Sequence, residues 1–320
     1  MTVLDMHSPM RDLTDGEWLQ RIEELGEEAG YYEPLGKRHH AMLSDEGPIL
    51  LVTFETRASI RTGAPDELPL GYRVARAQGW SSLTLISDEE SWFRDPSVYA
   101  YVDRLVDEAF FEDFDRVVFY GEGSGGYAAA AFAVAAPGAT VIAIQPQATL
   151  SPRLTGWDTR FPRMRRTSFT DRYGFAPDMI DGAGAAYILF DPHETLDAMH
   201  AAMFARPHVT LLPCRNLGSH VGWMLREMDI LHQILTLACR GEFDAQAFWR
   251  LYRARRDMPR YLRALIARLE AEERPYLEAL VCRHALDRFE GLRIRARLTS
   301  LEDGLRAKGV DLPGLRRIHA

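Results

Sequence analysis

The sequence predicts an α/β protein: a mostly parallel, doubly wound sheet with helices on both faces, followed by a helical C-terminal appendage. Three observations predict it. Between residues 48 and 240, short runs of apolar and β-branched residues alternate with segments of helical periodicity. One of those runs passes through a glycine cluster, Gly121 to Gly126, into an alanine-rich stretch. From residue 241 onward no strand candidate occurs, and charges fall at helical spacing.

Residues 1–47 are polar, with one helix candidate at Asp15–Ala29. His39 and His40 fall in the link that follows, and adjacent histidines point apart on any element, which argues against a metal pair. Ile49–Glu55 is the first buried strand and Leu70–Gln78 a helix. Ser82–Ser87, Val117–Tyr120, Val141–Ile144, Ala186–Phe190 and His208–Pro213 are further strands. Val98–Phe110, Gly126–Ala136, Leu196–Phe204 and Val221–Leu237 read as helices, the second ended by Pro137-Gly138. An insertion, 151–184, breaks the alternation and is placed over the sheet's carboxyl edge. Ala245–Arg256, Pro259–Glu270 and Pro275–Phe289 are the helices of the C-terminal region, 241–320.

Composition excludes several classes. The chain is 47% hydrophobic and 26% charged, ordinary for a globular protein with a sizeable core. No stretch reaches the roughly 18 apolar residues of a membrane span. Met1 to Glu23 carries acids and no apolar core, so a signal peptide is not expected and cytoplasmic residence is. Cys214, Cys239 and Cys282 are widely spaced without a CxxC, against a disulfide framework or a zinc module. No cofactor is called for. Residues 241–320 hold 17 Lys and Arg against 12 Asp and Glu, so +5 there leaves −13 on 1–240 of the net −8. Acids interleave with those bases, as on a solvated helix face, and nucleic acid is not an expected partner. A protein partner is compatible with such helices.

The glycine cluster reads Arg-Val-Val-Phe-Tyr-Gly-Glu-Gly-Ser-Gly-Gly-Tyr-Ala-Ala-Ala from Arg116 to Ala130. Glycines gather where a strand turns sharply into a helix because side chains would clash. Gly121, Gly123 and Gly126 also spell the G-x-G-x-x-G of a dinucleotide fingerprint. The acid expected about 20 residues later is replaced by Gln145. Tight helix packing with no ligand is the third reading.

In another register the same stretch resembles the nucleophile elbow of the α/β-hydrolases, Gly-x-Ser-x-Gly-Gly-Tyr, through Gly121, Gly125, Gly126 and Tyr127. The nucleophile slot then holds Gly123, and a hydroxyl follows one residue later at Ser124. The resemblance covers about Ile49 to Leu237 and implies a chain order of nucleophile, acid, histidine. Asp191 directly after one strand, and His220 after the last, match that order. It further implies acyl transfer or ester hydrolysis, with His220 taking the proton of Ser124 and Asp191 orienting the imidazole. Oxyanion donors would come from near Gly125 and Phe54–Thr56. Asp197 is a second candidate acid and His193 a second candidate base. Placing the nucleophile at Ser124 puts Glu122 where the elbow wants a small residue. With Gly123 in the slot, the implied protein is instead a silent relative that uses the cleft for binding. The expected partner is a small ligand, or an acyl or ester substrate.

Arg160, Arg163, Arg165, Arg166 and Arg172 cluster in the insertion, and Arg163 and Arg166 are the candidates for holding an anion. Trp92, Phe93 and Arg94 fall on the same presumed edge. The whole string, with Gln-Pro-Gln-Ala-Thr-Leu after the fourth predicted strand, also resembles alphaproteobacterial proteins labelled phosphoadenosine phosphosulfate reductase. The Ser-Gly-Gly-Lys-Asp loop and Glu-Cys-Gly-Leu-His end of such reductases are missing, so that chemistry does not follow.

Overall fold

One sheet organises the computed structural model, which describes residues 10–313. Its strands are β1 (Gly30–Leu35), β2 (His39–Ser44), β3 (Ile49–Thr56), β4 (Ser81–Ser87), β5 (Arg116–Glu122), β6 (Thr140–Ile144), β7 (Ala185–Phe190) and β8 (Val209–Pro213). Their spatial order is β1-β2-β4-β3-β5-β6-β7-β8. β2 runs antiparallel to both neighbours, and every pairing from β4 to β8 is parallel. The fold is an α/β fold built on one mostly parallel sheet.

The helices of this part are α1 (Asp15–Ala29), α2 (Arg57–Gly63), α3 (Leu70–Arg76), α4 (Pro96–Asp107), α5 (Ser124–Phe132), α6 (Pro152–Thr155), α7 (Ala176–Met179), α8 (Thr195–Met203), α9 (Val221–Glu227) and α10 (Leu231–Arg240). They cover both faces because strand residues alternate. Leu50, Val52 and Phe54 of β3, with Val117 and Phe119 of β5, join the core under α4, α5 and α8. On the other face Met42 and Ile86 meet Trp18 and Ile22 of α1, Ile60 of α2 and Tyr72 of α3. α5 is buried along its whole length, and Ala128 to Ala131 let it sit close to the sheet.

Two predicted features differ. Residues 1–47 are not a separate polar segment, because β1 and β2 form a hairpin on the edge of the sheet. His39 and His40 are therefore buried on β2, not placed in a link. The predicted helix Val221–Leu237 is two helices, broken where Asp229 takes a positive φ of 55°. α2 and a C-terminal helix at Leu292–Ala307 were not predicted.

The chain divides into two compact units, Met1–Ala245 and Gln246–Ala320. Its C-terminal helices are α11 (Ala245–Leu251), α12 (Pro259–Ala271), α13 (Pro275–Leu286) and α14 (Leu292–Ala307). Among the described residues no helix is long and apolar enough to cross a membrane.

The winding direction positions the site. From β3 the chain moves to β4 on one side, then crosses back to β5 on the other. Ligand crevices in open α/β sheets form at such a reversal, outside the carboxyl ends of the strands. Here that place lies over the ends of β3 and β5.

Candidate functional site

A single residue, Gly123, links β5 to α5, with φ 55° and ψ −117°. Its N–H donates to the Ile144 carbonyl at 2.9 Å, and its carbonyl accepts from Tyr127 N–H at 3.0 Å. A Cβ on Gly121 would overlap the Gly125 carbonyl, and one on Gly125 would overlap the Phe54 carbonyl. Those two glycines exist for close approach of helix and strands. A Cβ on Gly123 would meet nothing within 4 Å. The slot that carries the nucleophile in the hydrolase pattern thus has a backbone conformation only glycine adopts without strain, open space and no side chain. The close approach of Gly121 to the Gly125 carbonyl serves the tight turn.

Ser124 opens α5, is 3% exposed and lines a cleft of about 350 Å³ over the elbow. His220 also lines the cleft, exposed, at the residue before α9. Asp191 follows β7 and is 1% exposed. Its Oδ1 accepts from His193 N–H at 3.0 Å and its Oδ2 from Gly218 N–H at 2.7 Å. The carboxylate is therefore occupied in holding the loop that leads to His220. Among the described residues no hydrogen bond joins Ser124, His220 and Asp191 into a relay.

The insertion reaches the cleft through Arg160 and Phe161, not through Arg163 and Arg166. Those two are exposed on the 3-10 turn Pro162–Arg166 and do not line it, so the anion-holding role expected of them has no place in the cleft. Arg160 is itself committed, with Nη1 donating to Asp197 at 2.6 Å and Nη2 to Asp158 at 2.8 Å. Asp158 also accepts from His200 Nε2 at 3.0 Å, while His200 Nδ1 accepts from Ala148 N–H at 3.2 Å. That last bond places the ring proton on Nε2. Burial lowers the pKa of His200, and its bond to Asp158 opposes the shift. This buried His–Asp pair ties the insertion to α8 and leaves no free ring nitrogen. Asp197, on α8, lines the cleft and is bound by Gln145 Nε2 at 2.6 Å.

Sequence reasoning missed the polar group beside Gly123. The Glu122 carboxylate accepts from the Tyr120 hydroxyl and from both Nη atoms of Arg226, a two-pronged pair. Burial and the charge of Glu122 push the Tyr120 phenol well up, so it remains a donor. A Cβ on Gly222 would overlap the Glu122 carboxylate, so glycine at that point of α9 lets the acid fit. The signal lay in Gly222 and Arg226, one helical turn apart, 100 or more residues from Glu122. Glu55, at the end of β3, caps α3: it accepts from Leu70 N–H at 2.9 Å, Gly71 N–H at 3.2 Å and the Thr53 hydroxyl at 2.8 Å. Burial raises its pKa against those three bonds.

All three cysteines are buried thiols, and burial pushes Cys239 up to about 12 and Cys282 to about 11, which removes them as nucleophiles. Among the described residues no group of three or more His, Cys, Asp or Glu is arranged to hold a metal ion.

No family model matches the chain. No curated protein matches it either. Solved structures do align with it. EstE1, a thermophilic carboxylesterase cloned from a metagenomic library, is 14% identical with a TM-score of 0.41, over 72% of this chain and 97% of that one. The hyperthermophilic esterase of the archaeon Pyrobaculum calidifontis is 13% identical with a TM-score of 0.43, over 72% and 94%. The capsule O-acetyltransferase of Neisseria meningitidis serogroup A is 10% identical with a TM-score of 0.41, over 63% and 94%. None of these supports the likeness to reductases. At such identities and TM-scores the alignments carry no argument about activity or family.

Proposed function

We propose that this chain is a catalytically silent α/β-hydrolase-fold protein that binds a small molecule in the cleft over Gly123. One observation carries the reading. The nucleophile slot keeps the sharp positive-φ turn and the open space in front of it, yet holds glycine. Without an oxygen or sulfur there, no covalent intermediate forms at the elbow. The lack of any hydrogen bond between Asp191 and His220 among the described residues supports it, while Asp191 accepts from His193 and Gly218 N–H. The cleft, about 350 Å³ with Ile60, Leu68, Phe161 and Trp223 among its walls, has the size and mixed lining of a small-ligand site.

The competing reading is a weak serine esterase or acyltransferase working through Ser124, whose residue lines the same cleft. A fluorophosphonate probe separates the two. The expected result on the full chain is no adduct by intact mass, and p-nitrophenyl acetate hydrolysis no faster than in Ser124→Ala. A Ser124 adduct that disappears in Ser124→Ala would overturn the proposal.

A further inference from the structure

Charge in the C-terminal unit is concentrated in one short stretch. Residues 249–263 hold six arginines and a single acid, Asp257, so the +5 surplus of residues 241–320 lies wholly within them. The acids that interleave with bases elsewhere in this region are missing here. Asp257 is itself taken by Arg288. Arg255 is spent on packing, its guanidinium 4.3 Å from the centroid of the buried Tyr252 ring and its Nη1 donating to the Tyr252 carbonyl at 2.6 Å. Arg250, Arg253 and Arg256 are exposed, and among the described residues no carboxylate pairs with them.

The backbone sets these three in a row. α11 runs into the 3-10 turn Tyr252–Asp257. In such a helix residues three apart lie over one another, about 6 Å apart along the axis. Like charges held at that repeat repel, and a partner with carboxylates at the same repeat relieves them. Trp249, 39% exposed, opens the row. Tryptophan and arginine are the side chains that most often anchor protein interfaces.

A matching row lies on the same chain. α1 carries six acids and one base, Arg21, a net −5. Trp18, Ile22 and Gly26 form its buried face, and Arg21 is held by Glu24 at 2.8 Å. Glu23, Glu27 and Glu28 are exposed, and among the described residues no Lys or Arg pairs with them. Glu23 and Glu27 are four apart on an α-helix, about 6 Å along its axis, the repeat of the arginine row. Gly16 and Leu19 line a shallow groove with them, one turn nearer the start of the helix.

We propose that the row of Arg250, Arg253 and Arg256 docks head to tail on α1 of a second copy of this chain. Arg253 and Arg256 meet Glu23 and Glu27 of that copy, and Trp249 settles in the groove beside Leu19. The two surfaces differ, so the contact is heterologous and repeats from copy to copy. A nucleic acid also attracts arginines, but it is repelled by the −13 on residues 1–240, whereas α1 has acids at the spacing of the row. The contact does not depend on what the cleft binds.

Sedimentation velocity on the full chain tests it, at about 20 mM and about 500 mM NaCl. Mass above the monomer is expected at low salt, rising with protein concentration and lost at high salt. Arg253→Glu with Arg256→Glu, and separately Glu23→Arg with Glu27→Arg, are each expected to weaken association at least about tenfold. An equimolar mixture of these two variants is expected to associate where neither does alone, since each supplies the charge the other lacks. Arg253→Lys with Arg256→Lys keeps the charge and should stay within about threefold of wild type, and Trp249→Ala should lose about threefold or more. All of these side chains are exposed, so far-UV circular dichroism should not change. A wild type that stays monomeric to about 200 μM at low salt overturns the proposal, as does association that survives both charge reversals. A mixture that fails to associate overturns the pairing of the two rows. Binding of a 20-nucleotide single strand, lost in Arg253→Glu with Arg256→Glu, by a wild type that does not self-associate would give the row to nucleic acid instead.

Discussion

Alanine at Gly123 and alanine at Gly125 separate two different reasons for glycine in the elbow. At Gly123 the added methyl group meets nothing within 4 Å, so its cost is purely conformational. A φ of 55° with ψ of −117° lies outside even the left-handed helical well. Holding a side-chain-bearing residue there costs about 1–3 kcal/mol, and the stiffer unfolded chain returns about 0.4–1 kcal/mol of it. The expected net loss for Gly123→Ala is about 1–2 kcal/mol. At Gly125 the methyl group would overlap the Phe54 carbonyl. That carbonyl belongs to β3, which is bonded to β4 on one side and β5 on the other, so it has no direction in which to yield. Gly125→Ala is expected to cost more than about 4 kcal/mol. Guanidinium unfolding followed by tryptophan fluorescence measures both. A Gly125→Ala variant within about 1 kcal/mol of Gly123→Ala would refute the division of roles, and with it the claim that position 123 faces open space.

Three further outcomes follow from buried polar groups. Asp191→Ala strands the N–H groups of His193 and Gly218 and is expected to lose about 2–4 kcal/mol in the same assay; a loss under about 0.5 kcal/mol would mean that Asp191 does not hold the His220 loop. Burial depresses His39 to about 4, with Asp95 raising it too weakly to compensate. A depressed folded pKa makes this contribution complete above the unfolded value of about 6.5 and lost as pH falls toward about 4. Stability of the wild type should therefore drop by about 3 kcal/mol across that window, and His39→Gln should flatten the drop; an unchanged pH profile in the variant sinks the assignment. In the C-terminal unit, Glu278 is 1% exposed and held by Arg297 at 2.6 and 2.9 Å. Arg297→Leu leaves that carboxylate buried without its cation, and a loss of about 2–4 kcal/mol is expected in denaturant unfolding; no measurable loss would show that solvent replaces the arginine.

Local periodicity made much of the fold legible. The alternation that marks β3 to β8 and the stripes that mark α1, α4 and α8 are properties of neighbouring residues, and such patterns survive without knowledge of the partner surface. The β1–β2 hairpin was illegible for a physical reason. Pro34 sits on an edge strand where no ladder partner is missed, and β2 is buried with two histidines, each with one ring nitrogen hydrogen-bonded and the other without a bond. His39 bonds Ser91 at 2.8 Å and His40 bonds Tyr32 at 2.7 Å. Neither partner is marked in the local string. The break at Asp229 was hidden because apolar periodicity continues across it.

The sequence by itself determined that a glycine stands where a hydrolase-like elbow carries its nucleophile, and that the hydroxyl comes one residue late. Those are matters of register along one strand and one turn. Only the tertiary structure decided what surrounds that glycine. It brought the Phe54 carbonyl onto Gly125, spent the Asp191 carboxylate on the loop before His220, and locked Glu122 to Arg226 from more than 100 residues away. It also placed Ser124 in the wall of the cleft at the start of α5. Hydrogen-bond partners are chosen by distance in space, and nothing in the spacing of residues along a chain encodes which donor a buried carboxylate will meet.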